Sequence, residues 1–196
     1  MLMLISNLSV ARSEEINVTV SDLASFIMYI TSPDYTGDTV NLSIRTAIRA
    51  NSTLGTQSSQ QLTINGQNRT LTATNSASGV TTENGKTVTL SGFTNISGFT
   101  GVSGNVIYST GTVNINNSTV SSNQSSGSTT ATYMGGAIYS KGTMNITAST
   151  FNTNSILTSG STGMGGAIYY EGTNGTITNS IFTGNSISGG GTTKGG

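Results

Sequence analysis

The stretch GGAIYSKGT at residues 135–143, with FNTN following at residues 151–154, decides the fold because it recurs along the chain. GGAIY returns at residues 165–169 and is followed by FTGN at 182–185. A weaker copy, GNVIY, lies at residues 104–108, with VSSN after it.

The copies are spaced at a nearly constant interval. Asn123, Asn154 and Asn185 follow one another at 31 and 31 residues, and the isoleucines of the three copies at 31 and 30. A fixed period of this length is the signature of a solenoid, in which each repeat stacks on the next. The core of each copy is nearly constant in length, so the Ser/Thr/Gly-rich segments 124–134, 155–164 and 186–194 are predicted to be variable loops.

Each repeat holds three short apolar runs separated by Gly or Asn, and none of them is long enough for a helix. We therefore predict an all-β protein, a three-faced parallel β-helix, whose equivalent strands lie about 4.8 Å apart in neighbouring coils. The predicted stacked positions are Ile107, Ile138 and Ile168; Asn123, Asn154 and Asn185; and Phe151 and Phe182, with Val120 before them. Further columns are predicted for Val113, Met144 and either Asn174 or Thr176, and for Ile115, Ile146 and Ile177.

Two side-chain roles follow from this arrangement. Gly135 suits a corner where a side chain would clash, and the repeated Asn suits a turn because it tolerates left-handed geometry and its amide can bond to the next Asn. The residue after each inward Ile should point outward. Tyr108, Tyr139 and Tyr169 are therefore predicted to form an aromatic stripe that contacts a ligand.

The N-terminal part differs from the repeats and is predicted to cap them. Residues 1–12 fit either a truncated signal peptide or an ordinary apolar strand, and both interpretations stay open. Residues 13–58 form the predicted cap, with a strand at 16–20, a helix or a strand at 22–30, and one short α-helix at 43–50. Residues 59–196 are the β-helix, expected to be truncated at its C-terminus.

Composition excludes several functions. The chain of 196 residues has 7 basic and 7 acidic side chains, only 7% charged residues, no His and no Cys. Scattered Lys and Arg argue against nucleic-acid binding, and the absence of Cys rules out disulfides. We expect a monomer without cofactor or metal, and contact with a membrane only through an anchor outside this sequence.

The paired Gly-Gly-Ala-Ile and Phe-x-x-Asn motifs resemble those of polymorphic outer membrane proteins and of adhesin-like surface proteins. The match is full at 135–154 and 165–185, whereas the copy at 104 has Asn105 for Gly and Val120 for Phe. The resemblance implies a right-handed, pectate-lyase-like β-helix used in adhesion at the cell surface or outside the cell. The C-terminal β-barrel usual in the outer-membrane family is absent from this sequence.

The predicted function is a non-catalytic adhesin-like protein that offers loops and the tyrosine stripe to a glycan or another cell-surface ligand. Glu83 and Glu171 are the only acids after residue 60 and should lie in different coils, so no catalytic residue is predicted. The alternatives are a passive stalk and a polysaccharide-degrading enzyme whose catalytic part lies outside this sequence. An ice-binding solenoid, suggested by Thr112, Thr143 and Thr173, is less favoured because Thr is spread over strands and loops.

Overall fold

The computed structural model describes residues 14–74, 77–127 and 131–195. These residues form a parallel β-solenoid of about six turns with a single short α-helix near the N-terminus. The predicted all-β solenoid is therefore confirmed. The predicted signal peptide, residues 1–12, lies outside the described residues.

The strands follow one another in coils, and each coil begins with a strand of the same sheet. The first three coils contain β1 (Glu15–Val20) and α1 (Leu23–Thr31); β2 (Thr39–Ile44), β3 (Ile48–Ala50) and β4 (Gly55–Thr56); and β5 (Gln61–Asn65), β6 (Thr70–Ala73) and β7 (Val80–Thr82). A 3-10 turn, Pro33–Tyr35, lies between α1 and β2.

The later coils contain more strands. They are β8 (Thr87–Ser91), β9 (Asn95–Ser97), β10 (Thr100–Gly101) and β11 (Ile107–Ser109); β12 (Thr112–Asn116), β13 (Thr119–Ser121), β14 (Gln124–Ser126), β15 (Tyr133–Met134) and β16 (Ile138–Ser140); β17 (Thr143–Thr147), β18 (Thr150–Asn152), β19 (Ser155–Ser159), β20 (Gly163–Met164) and β21 (Ile168–Tyr170); and β22 (Gly175–Thr178), β23 (Ile181–Thr183), β24 (Ser186–Gly190) and β25 (Thr193–Lys194).

Equivalent strands of successive coils pair in parallel and build five sheets. Sheet A has the order β1-β2-β5-β8-β12-β17-β22, sheet B the order β3-β6-β9-β13-β18-β23, and sheet C the order β4-β7-β11-β16-β21. Sheets D (β10-β14-β19-β24) and E (β15-β20-β25) belong to the later, longer coils.

Sheets D and E correct one prediction, because the segments interpreted as variable loops contain their strands. Ser125 and Ile156 face each other in the register of β14 and β19, and both side chains are buried. Backbone N–H and C=O groups of adjacent coils pair whatever side chains they carry, so Ser/Thr/Gly composition did not prevent strand formation here.

The core is built from columns of like residues. Ile107, Ile138 and Ile168 pair in sheet C, and the rings of Phe151 and Phe182 stack in sheet B with centroids 5.0 Å apart. The columns Val120–Phe151–Phe182 and Ile115–Ile146–Ile177 have the predicted partners, but Phe182 and Ile177 in the last coil are exposed and only the earlier members are buried.

The inserted residue in the last repeat shifts two columns from their predicted partners. Met144 pairs with Gly175, not with Asn174 or Thr176. Thr143 continues the column of Thr112, whereas Thr173 precedes β22 and is not part of that pairing. The threonine row suggested for ice binding is therefore interrupted at the last coil.

The cap uses a different helix from the one predicted. The prediction of a helix at 43–50 is wrong: these residues end β2, turn a corner and form β3, with Ile44 and Ile48 buried in two different sheets and Ala47 exposed. The spacing of Ile44, Ala47 and Ile48 imitates a helical face by chance, and the alternation from Val40 to Ile44 was the stronger signal.

The ambiguous segment 22–30 forms α1 instead. Asp22 caps its start by accepting a hydrogen bond from the Ser25 N–H at 2.8 Å, and Phe26 and Ile30 bury one face. The helix packs against β2, β3 and β4. It thus covers the first strands of sheets B and C, whose outer side would otherwise be open.

Left-handed residues turn the chain at the corners. Ser122, Thr153 and Gly184 have φ of 55°, 56° and 62° and lie directly before the repeated Asn. The prediction that the Asn itself adopts this conformation is therefore wrong. Gly135 does occupy a corner, with φ of 69°, and a Cβ there would lie 1.9 Å from the carbonyl oxygen of Ile138.

The repeated Asn side chains point inward and form a ladder. Asn123 Nδ2 donates to Asn154 Oδ1 at 2.9 Å, and Asn154 Nδ2 donates to Asn185 Oδ1 at 3.0 Å. Asn154 Oδ1 also accepts from the backbone N–H of Asn123 at 3.2 Å. Asn123 and Asn154 are fully buried, so the ladder satisfies polar groups that water cannot reach.

We expect Asn154→Ala to lower the free energy of unfolding by about 2–3 kcal/mol, because it leaves the buried backbone N–H of Asn123 without its acceptor and removes the donor to the carbonyl of Val120. Urea denaturation followed by circular dichroism measures the change. Asn152→Ala is the control: Asn152 is half-buried on β18, so its loss should cost about 0.5 kcal/mol or less. Equal effects of the two substitutions would contradict the ladder.

We expect Thr153→Gly to raise the free energy of unfolding by about 0.5–1 kcal/mol. A left-handed β-branched residue costs about 1–2 kcal/mol, part of which the greater freedom of Gly in the unfolded chain offsets. Thermal melts compare it with Thr150→Gly, which lies in β18 and should be destabilised. A fall in stability for both variants would show that the corner is not strained.

Candidate functional site

The candidate site lies on the outward side of sheet C. Tyr108, Tyr139 and Tyr169 occupy equivalent positions of β11, β16 and β21, each directly after an Ile of the core column. Their ring centroids are 5.2 Å apart between the first two and 5.6 Å apart between the last two. The structure therefore brings the three predicted tyrosines together in one column.

The tyrosine column is less exposed to solvent than the predicted outward stripe would be. Tyr139 is only 3% exposed, whereas Tyr108 and Tyr169 are half-buried. Coils are about 4.8 Å apart, which is less than the width of a tyrosine ring, so the outer two rings cover the middle one. Only Tyr108 and Tyr169 can offer ring surface to a ligand.

A charged pair fixes the middle tyrosine. The Tyr139 hydroxyl donates to Glu171 Oε2 at 2.9 Å, and Lys141 Nζ lies 3.7 Å from the same oxygen. Lys141 Nζ is also 5.4 Å from the centroid of the Tyr139 ring. Nothing in the sequence indicated that a tyrosine would contact both charged groups.

The cluster shifts the acidity of its members. Burial raises the pKa of Tyr139 above its ordinary value, with a smaller upward contribution from Glu171. The hydrogen bond from Tyr139 lowers the pKa of Glu171, and the tyrosine in turn raises the pKa of Lys141. The neutral phenol and the two charged groups are therefore the stable combination around neutral pH.

A polar groove runs beside the cluster, at the corner between sheets C and A. Its cavity of about 310 Å³ is lined by Thr and Gly residues of successive coils and by Lys141 and Glu171. A Cβ on Gly142 would lie 1.9 Å from the carbonyl oxygen of Gly111, and one on Gly172 equally close to that of Gly142. Glycine thus keeps the floor of the groove at backbone level.

Sequence reasoning missed this groove, although a signal for it was present. Gly111, Gly142 and Gly172 recur at 31 and 30 residues, with the same period as the tyrosines. A second periodic glycine, separate from the Gly-Gly pair, indicates another place where neighbouring backbones approach closely.

The two carboxylates of the repeat region do not face each other. Glu83 follows β7 and Glu171 follows β21, so they lie at the same corner but three coils apart. Glu83 pairs with Lys86 at 3.2 Å, and Glu171 with Lys141. A glycosidase needs its two carboxyl groups across one cleft, and these two are not placed that way.

Nowhere in 14–74, 77–127 and 131–195 do three or more His, Cys, Asp or Glu side chains gather in a way that would hold a metal ion. The one helix of that part of the chain is too short to cross a membrane.

Comparison with known proteins identifies no relative: no family model, curated protein or solved structure matches the chain.

We expect the pKa of Tyr139 to fall in Glu171→Gln, because a nearby negative charge is removed, yet to stay above its ordinary value of 10.0 because the ring remains buried. Tyrosine-ring NMR signals recorded as a function of pH measure it. Glu83→Gln is the control: it removes a carboxylate from a distant coil and should leave the pKa of Tyr139 unchanged.

The free energy of unfolding should depend on pH through Glu171 and Tyr139. Glu171 has a lowered folded pKa, so its contribution is present above its ordinary value of 4.5 and is lost as the pH falls through the lowered value. Tyr139 has a raised folded pKa, so its contribution is present below pH 10.0 and is lost as the pH rises further. If the pKa of Tyr139 were the same in Glu171→Gln as in the parent protein, the result would contradict the hydrogen bond between Tyr139 and Glu171.

Proposed function

We propose that this protein is a non-catalytic, adhesin-like solenoid at the cell surface or outside the cell, and that sheet C contacts glycans. The observation that carries the proposal is that two half-buried tyrosine rings, Tyr108 and Tyr169, lie in one column with a polar groove beside it. Aromatic faces pack on the apolar faces of sugars, and polar groups beside them orient the hydroxyls.

Rigidity supports this assignment. The rings stand on paired strands and touch each other through Tyr139, whose hydroxyl is tied to Glu171. Such a surface loses little conformational entropy when a ligand binds. A rigid surface helps most when the ligand makes few contacts, because little binding energy is then available to offset the ordering of side chains.

The setting at the cell surface rests on the resemblance of the Gly-Gly-Ala-Ile and Phe-x-x-Asn motifs to polymorphic outer membrane and adhesin-like proteins. The competing proposals are a passive stalk and a polysaccharide-degrading β-helix whose catalytic part lies elsewhere. The separation of Glu83 from Glu171 favours a binding role for this part of the chain.

We expect the protein to bind on a glycan array, and Tyr108→Ala and Tyr169→Ala each to weaken the best interaction about tenfold, a loss of about 1.4 kcal/mol. Tyr35→Ala is the control, since Tyr35 is half-buried in the N-terminal cap and stacks on Tyr29. Tyr139 is unsuitable because it is buried.

Two results would overturn the proposal. A folded protein that binds no glycan would favour the stalk. Binding that Tyr35→Ala weakens as much as Tyr108→Ala would place the contact elsewhere on the molecule. Thermal melts of each variant show whether the solenoid is intact.

A further inference from the structure

We infer that the cleft between Arg45 and Arg69, at the corner between sheets A and B, binds an oxyanion, the carboxylate or sulfate group of an acidic polysaccharide. The cleft has a cavity of about 340 Å³. It is lined by Thr19, Ser43, Ile44, Arg45, Gln67 and Arg69. This site lies on other sheets than the tyrosine column and does not depend on it.

The backbone holds both arginines at the cleft. Arg45 directly follows β2, and its N–H donates to the carbonyl of Val20 at 3.0 Å. Arg69 comes from the next coil, and its Nε donates to the carbonyl of Arg45 at 3.2 Å. This bond fixes the direction of the Arg69 guanidinium and leaves its remaining N–H groups for a ligand.

Charge gives the second argument. Ion pairs in the described residues join Lys86 to Glu83 and Lys141 to Glu171, but neither Arg45 nor Arg69 has an acidic partner there. Both arginine side chains are exposed, so solvent screens their mutual repulsion and leaves them accessible to a ligand. Two accessible guanidinium groups at one cleft, neither of them neutralised by an acid of the described residues, therefore give the cleft a positive charge that suits an anion.

The surrounding groups favour a sugar acid over other anions. Guanidinium groups bind carboxylate and sulfate oxygens in a bidentate manner, with charge-assisted hydrogen bonds. The hydroxyls of Thr19 and Ser43 and the amide of Gln67 add neutral donors and acceptors of the kind that pair with sugar hydroxyls. The cleft is a depression without exposed large apolar side chains, which a membrane surface would require.

Isothermal titration calorimetry with an oligogalacturonate, a sulfated oligosaccharide and a neutral dextran tests the inference. We expect one or both acidic ligands to bind, with an affinity that falls as salt rises, and the dextran to be inert at this cleft. Arg45→Gln and Arg69→Gln should each weaken binding about tenfold or more.

Arg49→Gln is the matched control. Arg49 is exposed in the middle of β3, pairs with Thr72 of sheet B and does not line the cleft, so its removal changes net charge equally but should alter affinity less than about twofold. Arg45→Gln removes no side-chain hydrogen bond or ion pair to another described residue and should fold normally, and thermal melts check both cleft variants.

Three outcomes would overturn the inference: no binding of either acidic ligand, equal weakening by Arg49→Gln, or binding only to vesicles of anionic phospholipid. Tyr108→Ala should leave this binding unchanged. Loss of acidic-ligand binding in Tyr108→Ala would assign it to the tyrosine column instead, so failure of this inference and failure of the glycan proposal are distinguishable.

Discussion

In-register parallel pairing between coils is the constraint on which the rest of this structure depends. Once Ile138 pairs with Ile107 below and Ile168 above, the residues of the same strand face their equivalents in the neighbouring coils. Small errors of register would break all columns together, because shifting a strand by one residue turns its core side chains outward. The period of the sequence therefore indicates which residues contact each other in neighbouring coils.

The corners carry the same constraint. Left-handed residues recur at equivalent places, and the buried ladder from Asn123 through Asn154 to Asn185 bonds side chains and backbone across coils beside one of them. Such a ladder tolerates only one spacing between coils. It also explains how a chain without cysteine and with two ion pairs among its described residues is held together, since each coil satisfies the polar groups of its neighbours.

Repetition made the repeat region predictable from sequence, and its absence made the cap difficult. The columns through Ile138 and Phe151 follow from the period alone, whereas the single insertion before β22 was enough to misplace Thr173. In the cap, Ile44 and Ile48 imitate a helical face although they belong to two sheets. For the candidate site, the period of the sequence predicts that the tyrosines lie in one column. It does not predict that Tyr139 is buried, because that depends on the width of a tyrosine ring relative to the distance between coils.

Two surfaces proposed for binding, the groove beside the tyrosine column and the arginine cleft, lie at corners of the solenoid. Most columns repeat one kind of residue, and identical neighbours serve stability because they stack or bond to each other. At one corner, however, Glu171 occupies the place that Lys141 has one coil earlier, and at another corner Arg45 and Arg69 line one cleft without an acidic partner among the described residues. A change in a uniform column, such as that of the tyrosines, disturbs two neighbours, so such a surface can vary little from coil to coil. Differences between coils at the corners, where side chains are free on one side, are therefore the places where binding specificity can develop without loss of the fold.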